Sequence, residues 1–213
     1  MTESRSPGWS YRLSSRLVLC THCPPTSSES KIKVVVVRRG EAFPPGHPTT
    51  SLCLDLLRET MAAKVPGSLL DVGCGAGVVS LAAAALGVPL VVGVDISWGA
   101  AQTTRDNTRD NGLAGSVRVA QGSTECIKRR FEVVAANLPW EVQREKVAEL
   151  DRLTAPQGAL ILSGFRDNQE NHLMESYQKL GWRLNHRLSR EFCHPELPPD
   201  ISFTWVAWLL KRF

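Results

Sequence analysis

A chain that runs Leu69-Leu70-Asp71-Val72 into Gly73-Cys74-Gly75-Ala76-Gly77 and on into Val78-Val79-Ser80-Leu81 has few ways to fold. An apolar segment that stops at alternate glycines and restarts as an alanine-rich helix builds a strand, a tight loop and a helix. Without Cβ atoms at the glycines, the backbone can approach a ligand closely. A second apolar run, Leu90 to Val94, closes on Asp95, eighteen residues after Gly77. A carboxylate at the end of the next strand can accept both hydroxyls of a ribose, so the glycines and Asp95 read together as a nucleoside pocket. A dinucleotide fingerprint would place its third glycine at position 78, which is Val78; this argues against NAD. A glycine-rich turn in an unrelated α/β protein stays open on the glycines alone.

Gly-x-Gly-x-Gly after Asp71, with an acid ending the following strand, resembles the cofactor loop of class I S-adenosylmethionine-dependent methyltransferases. That resemblance implies S-adenosyl-L-methionine as cofactor, held by Asp71, Gly73, Cys74, Gly75, Gly77, Asp95 and Ile96. Such a ligand carries no phosphates, so the loop would meet its methionine part and adenosine through the backbone.

The remaining pattern alternates strand and helix. Strands are expected at Lys31–Arg38, around Leu69–Val72, and at Leu90–Asp95, Val117–Gln121, Phe131–Ala136 and Ala159–Ser163. Helices are expected from near Pro48, and over Val78–Leu86, Ser97–Asn111, Glu141–Leu153 and Asp167–Leu180. Trp182–Arg190 and Ile201–Leu210 have strand character with no helix between them. The expected fold is α/β and Rossmann-like: a doubly wound, mostly parallel seven-stranded sheet closed by a C-terminal antiparallel hairpin. Residues 1–30, with the Pro24-Pro25-Thr26-Ser27-Ser28 stretch, read as a tail or edge strand and linker, and 31–213 as the catalytic domain.

At 213 residues the chain suits one well-buried domain. No apolar run approaches the ~18 residues of a membrane span, and a soluble, cytoplasmic protein without a membrane partner is expected. A net charge of +4 fits a ribosomal or RNA partner but is equally usual elsewhere. Six scattered cysteines suit a reducing cytosol. Cys20-Thr21-His22-Cys23 is half of a zinc motif with no second pair, so no metal site is expected.

Asn137-Leu138-Pro139-Trp140 follows the strand at Phe131–Ala136 and so lands at the same sheet edge as the glycine loop. Methyl transfer from a sulfonium is an in-line displacement, and the protein's main task is to orient a nucleophile's lone pair. An Asn oxygen and the peptide carbonyls beside a proline can hold amine hydrogens, while Trp140 can form a wall, stacking on a base or facing a cation. The tetrapeptide resembles the Asn-Pro-Pro-Tyr and Asn-Leu-Pro-Tyr motifs of methyltransferases that act on amide, amine or adenine nitrogen, which makes Asn137, Leu138, Pro139 and Trp140 the catalytic candidates. A rigid post-strand turn with a core Trp is the simpler alternative.

Ala42-Phe43, His47-Pro48-Thr49-Thr50, the Asp71–Gly77 loop, Ala136-Asn137 and Leu160-Ile161-Leu162-Ser163-Gly164 together resemble the bacterial ribosomal protein L11 methyltransferases, from about Lys31 to the carboxyl end. The resemblance implies methylation of lysine and N-terminal amines, with Thr50, Gly73, Asp95 and Asn137 touching the cofactor. Three features depart from the family. Phe43-Pro44-Pro45-Gly46-His47-Pro48 is one residue shorter than its Phe-Gly-Thr-Gly-x-His-Pro, Asn137-Leu138-Pro139-Trp140 replaces its Asn-Ile-Leu-Ala, and a separate N-terminal substrate-recognition domain is not found. His47 reads as a helix-start residue as readily as a catalytic one. His172, His186 and His194 stand apart from any nucleophile or metal spacing. The leading expectation is N-methylation of a protein amine, with a ribosomal protein as partner. An adenine or other nucleic-acid nitrogen, hence RNA, is the rival, and a non-catalytic cofactor-binding protein the lesser alternative.

Overall fold

The computed structural model describes residues 8–22, 32–40, 42–192 and 203–212. Cys23, the Pro24–Ser28 stretch and His194 lie outside them. In chain order the elements are β1 (Ser10–Ser14), β2 (Leu17–Cys20), β3 (Lys33–Val36), α1 (Pro48–Ala63), β4 (Leu69–Val72), α2 (Val78–Ala85), β5 (Val91–Asp95), α3 (Trp98–Asp110), β6 (Val117–Gln121), β7 (Phe131–Asn137), α4 (Trp140–Glu145), α5 (Val147–Leu153), β8 (Thr154–Arg166), α6 (Glu170–Lys179), β9 (Arg183–Phe192) and β10 (Phe203–Lys211).

Seven strands form one sheet in the order β6-β5-β4-β7-β8-β10-β9. Strands β4 to β8 are parallel to their neighbours, and β10 enters antiparallel between β8 and β9. This is the doubly wound, Rossmann-like architecture with a C-terminal antiparallel hairpin that the alternation implies. Side chains alternate across a strand, so each strand feeds two cores. Leu69, Val133, Ala135, Ile161 and Leu209 face α1 and α2. Leu70, Val134, Ala136, Leu160, Leu162 and Leu210 face α5, α6 and Trp182. No helix among the described residues is long and apolar enough to cross a membrane.

The segment Tyr11–Cys20, the one part of residues 1–30 that could form strand by sequence, turns at Ser15-Arg16 into the hairpin β1-β2. Strand β2 then pairs in parallel with β3. Leu13, Leu17 and Leu19 of this small sheet are buried in the α1/α2 core. Helix α3 pins β3 and the residues after it. The Asn111 side-chain amide exchanges two hydrogen bonds with Val36 (2.8 and 2.7 Å), and that of Asn107 two with Arg38 (3.0 and 2.8 Å).

Two elements differ from the sequence pattern. The expected helix Glu141–Leu153 breaks at Lys146 into α4 and α5. Gln143 of α4 must point at the strand ends while Val147, Leu150 and Leu153 of α5 point into the core, and one straight helix cannot serve both directions. The expected strand Ala159–Ser163 extends to Thr154–Arg166, because Thr154 pairs with Phe131 and Phe165-Arg166 with β10. Pro156 and Gly158 masked the first extension, since both residues usually mark turns.

Candidate active site

Strand β4 sits between β5 and β7, where the chain reverses its direction of travel across the sheet. In such sheets the crevice for ligands opens beyond the carboxyl ends of the strands at that point. A cavity of about 860 Å³ lies there. Thr50, Asp71, Gly73, Cys74, Gly75, Asp95, Ile96, Asn137, Leu138, Pro139 and Trp140 all line it. Gly77 does not. It starts α2 at φ +80°, and a Cβ there would stand 2.8 Å from Thr104 Cγ2, so this glycine is needed for the close approach of loop to helix α3.

The loop is set by backbone and by α3. Gly73 and Cys74 both donate their N–H to Val94 O (2.8 and 3.1 Å), while Thr104 Oγ1 donates to Gly75 O at 2.8 Å and Asn107 Nδ2 to Ala76 O at 2.9 Å. Asp71 is buried beneath this loop. Its Oδ2 accepts from Ser80 N–H at 3.0 Å and Ser80 Oγ–H at 2.6 Å, tying β4 to α2. Burial pushes the Asp71 carboxyl up to about 6, against the pull of those two hydrogen bonds. Its leading role is to anchor the loop from below.

Asp95 holds the far side. Oδ2 accepts from Gly75 N–H at 3.0 Å and Oδ1 from Ser97 N–H at 2.9 Å. A carboxylate has about four acceptor sites, so two remain after these bonds, the number a ribose diol needs. At Gly75, φ is +57° and the nearest atoms to an added Cβ are Gly73 O at 3.9 Å and Ala42 Cβ at 4.0 Å. That open space beside the backbone, with a two-oxygen acceptor facing it, fits a nucleoside.

At the next strand ends, Gln143 is fully buried and its Nε2 donates to Ala136 O at 2.7 Å and Ser163 O at 2.8 Å. It bridges the tips of β7 and β8 directly beneath Asn137. Leu138 N–H donates to Ser163 O at 3.1 Å, and its main chain packs against Gly164 so closely that a Cβ there would stand 2.1 Å from Leu138 O. Gly73 similarly admits the Leu138 side chain, 2.4 Å from an added Cβ. Among the described residues the Asn137 side-chain amide has no hydrogen-bond partner. Helix α1 enters from above with Pro48 at its first turn and His47 as cap, Nδ1 accepting from Thr49 N–H at 3.3 Å. This is the helix-start role for His47; burial also lowers its basicity.

A model of the family described as Ribosomal protein L11 methyltransferase (PrmA) matches residues 9–192. The chain belongs to this family. The ribosomal protein L11 methyltransferase of Syntrophotalea carbinolica is 36% identical over 172 residues, covering 80% of this chain and 56% of its own length. That of Thermotoga neapolitana is 31% identical over 191 residues, covering 88% and 67%. The chain spans about half the length of several curated relatives it matches. The crystal structure of ribosomal protein L11 methylase from Lactobacillus delbrueckii subsp. bulgaricus superposes with a TM-score of 0.72 at 20% identity, over 95% of this chain and 97% of that one. At that identity the likeness speaks for the fold.

This L11 methyltransferase family chain lines its cavity with residues that motif reading passes over. Arg166, Gln169 and Trp205 form one rim with Phe43 and His47, and Lys146 and Glu141 another part of the wall. Trp205 lies edge-on to His47, ring centroids 5.0 Å apart, and Phe43 meets His47 at 4.7 Å. Gly164 had a local signal, a glycine directly after a strand. Gln143, Arg166 and Trp205 had none, because they reach the site by helix packing and by the antiparallel return of β10.

Proposed function

We propose that the cavity binds S-adenosyl-L-methionine and transfers its methyl group to an amine nitrogen of a protein. The observation that carries this reading is the Asn137 amide, without a partner among the described residues, in one cavity with Asp95, Thr50 and the glycine loop. Asp95 takes the ribose hydroxyls, the loop backbone from Gly73 to Gly75 lies along the adenosine and methionine parts, and Thr50 borders the methionine end. When bound, the cofactor supplies a methyl group on a sulfonium, an electrophile already activated for in-line displacement.

A lysine ammonium, with an ordinary pKa of about 10.4, has no lone pair at neutral pH, so its proton must leave before transfer. Asn137 Oδ1 and the Leu138 carbonyl accept the remaining amine hydrogens and turn the lone pair inward. Pro139 keeps that turn rigid, and Trp140 closes the wall behind it. Gly164 lets the Leu138 carbonyl sit where it does, and Gln143 holds both strand tips. The family's name points to ribosomal protein L11 as the kind of acceptor.

Incubating the protein with tritiated cofactor and a cell lysate, followed by protease or nuclease, separates the acceptor classes. Loss of label with protease is expected. Label that survives protease and is lost to nuclease sinks the protein reading. Mass spectrometry of the labelled species then identifies the nitrogen. Asn137→Ala should lower kcat by about a hundredfold with cofactor affinity little changed, as expected for a group that acts on the acceptor in the transition state; equal turnover would remove Asn137 from the mechanism.

A further inference from the structure

Arg166 ends β8 at the rim of the cavity. Its guanidinium carbon lies 4.0 Å from the centroid of the Phe203 ring and 5.6 Å from that of Trp205. No carboxylate pairs with it among the described residues; its backbone N–H is held by Gln169 Oε1 at 2.8 Å. Aromatic faces fix the plane of a guanidinium while leaving its edge of N–H donors available, and that edge matches a carboxylate with two parallel hydrogen bonds. Three other cations are paired with acids, whereas Arg144, without an ion pair among the described residues, lies 5.6 Å from the centroid of the Trp140 ring. Lys146, in the same cavity, pairs with Glu125 at 2.5 Å, Arg187 with Glu170 at 2.8 Å, and Arg190 with Asp55 at 3.8 Å. A nucleic-acid track needs a series of unpaired cations, since each phosphate contact uses one. The cofactor's own carboxylate has another source of positive potential, the start of α1 where Thr49 and Thr50 line the cavity.

We propose that Arg166 binds a carboxylate that the acceptor peptide carries beside the nitrogen to be methylated. The assignment rests on the reading of the site as a protein N-methyltransferase and narrows its substrate to amines in an acidic sequence context.

The test uses the full chain, tritiated S-adenosylmethionine and an array of peptides in which a lysine, or a free N-terminus, is flanked by Asp and Glu, by Ser, or by Lys and Arg. The wild type should label acid-flanked peptides about tenfold above the Ser set, the range of one charge-assisted hydrogen-bonded pair. Arg166→Lys should retain part of that preference, and Arg166→Glu should lose it and move toward basic flanks. S-adenosylhomocysteine affinity, read by calorimetry, should match the wild type in both variants. Failure of the wild type to bind S-adenosylhomocysteine defeats the cofactor reading itself. With that binding intact, four results overturn the role of Arg166. These are an acid preference that persists in Arg166→Glu, no preference or no peptide labelled by the wild type, label from lysate lost to nuclease, or an affinity drop of about tenfold for S-adenosylhomocysteine in Arg166→Glu. The last would give Arg166 to the cofactor's carboxylate instead.

Discussion

Asp95 and Asp71 show how two acids of one site come to different work. Asp95 ends its strand with both oxygens bonded to backbone N–H groups of its own crevice and with acceptor capacity left over. Asp95→Ala leaves those N–H groups without their partner and removes the proposed diol contact. We expect S-adenosylhomocysteine affinity to fall by about a hundredfold or more, the range for lost hydrogen bonds to a charged group; calorimetry showing unchanged affinity would refute the ribose assignment. Asp71 is buried at the floor of the cavity, and burial raises its carboxyl from the ordinary 3.8 to about 6. In that pH window the folded protein binds a proton that the unfolded chain has released. Its contribution to stability is therefore fully present below about pH 4 and declines as pH rises to about 6, by roughly 3 kcal/mol at most. Urea unfolding of Asp71→Asn should lack this decline, so that the stability difference between the two proteins changes between pH 4 and 6. A constant difference would mean that the carboxyl keeps its ordinary acidity.

Whole elements carry the second half of the site. Helix α4 is short, and its use is to place Gln143 across the tips of β7 and β8. Gln143→Leu keeps most of the volume but removes the side-chain donor to the Ala136 and Ser163 carbonyls, leaving Ser163 O with the Leu138 N–H alone. We expect a loss of about 1 to 3 kcal/mol in urea unfolding, in line with two buried hydrogen bonds removed. Turnover should fall as well, because the loop from Asn137 to Trp140 hangs from those tips; full stability with full activity would show that the bridge is dispensable. The glycine loop, the strand before it and Asp95 could be read along the chain because their chemistry is local in sequence: a turn needs its glycines where it turns. Gln143 could not, since a glutamine in a helix is ordinary until the helix breaks at Lys146 and aims it inward.

Across the whole molecule, the N-terminal hairpin belongs to the body of the fold. Leu13, Leu17 and Leu19 are almost without exposure and share the core of α1, and Tyr11 Oη donates to Asp55 of that helix at 2.6 Å. Deleting residues 1–22 should remove about 6 kcal/mol of apolar burial, at roughly 2 kcal/mol for each of the three leucines. Thermal unfolding is the measure. An unchanged midpoint would show that residues 23–213 stand alone as a domain. Because α1 carries Thr50 at its other end, the same deletion should loosen the cavity's roof.

Periodic apolar runs and glycine turns were enough to read the sheet, its winding and the crevice where Gly73, Asp95 and Asn137 meet, for these signals come from neighbours a few residues apart. Tertiary packing supplied the rest. Arg166 meets Phe203 and Trp205 because β10 returns antiparallel beside β8, and the Tyr11–Cys20 stretch becomes core because β2 finds β3. Contacts between residues far apart in sequence leave no period to read, so the rim that carries Arg166 and Trp205 emerged only once the chain was folded.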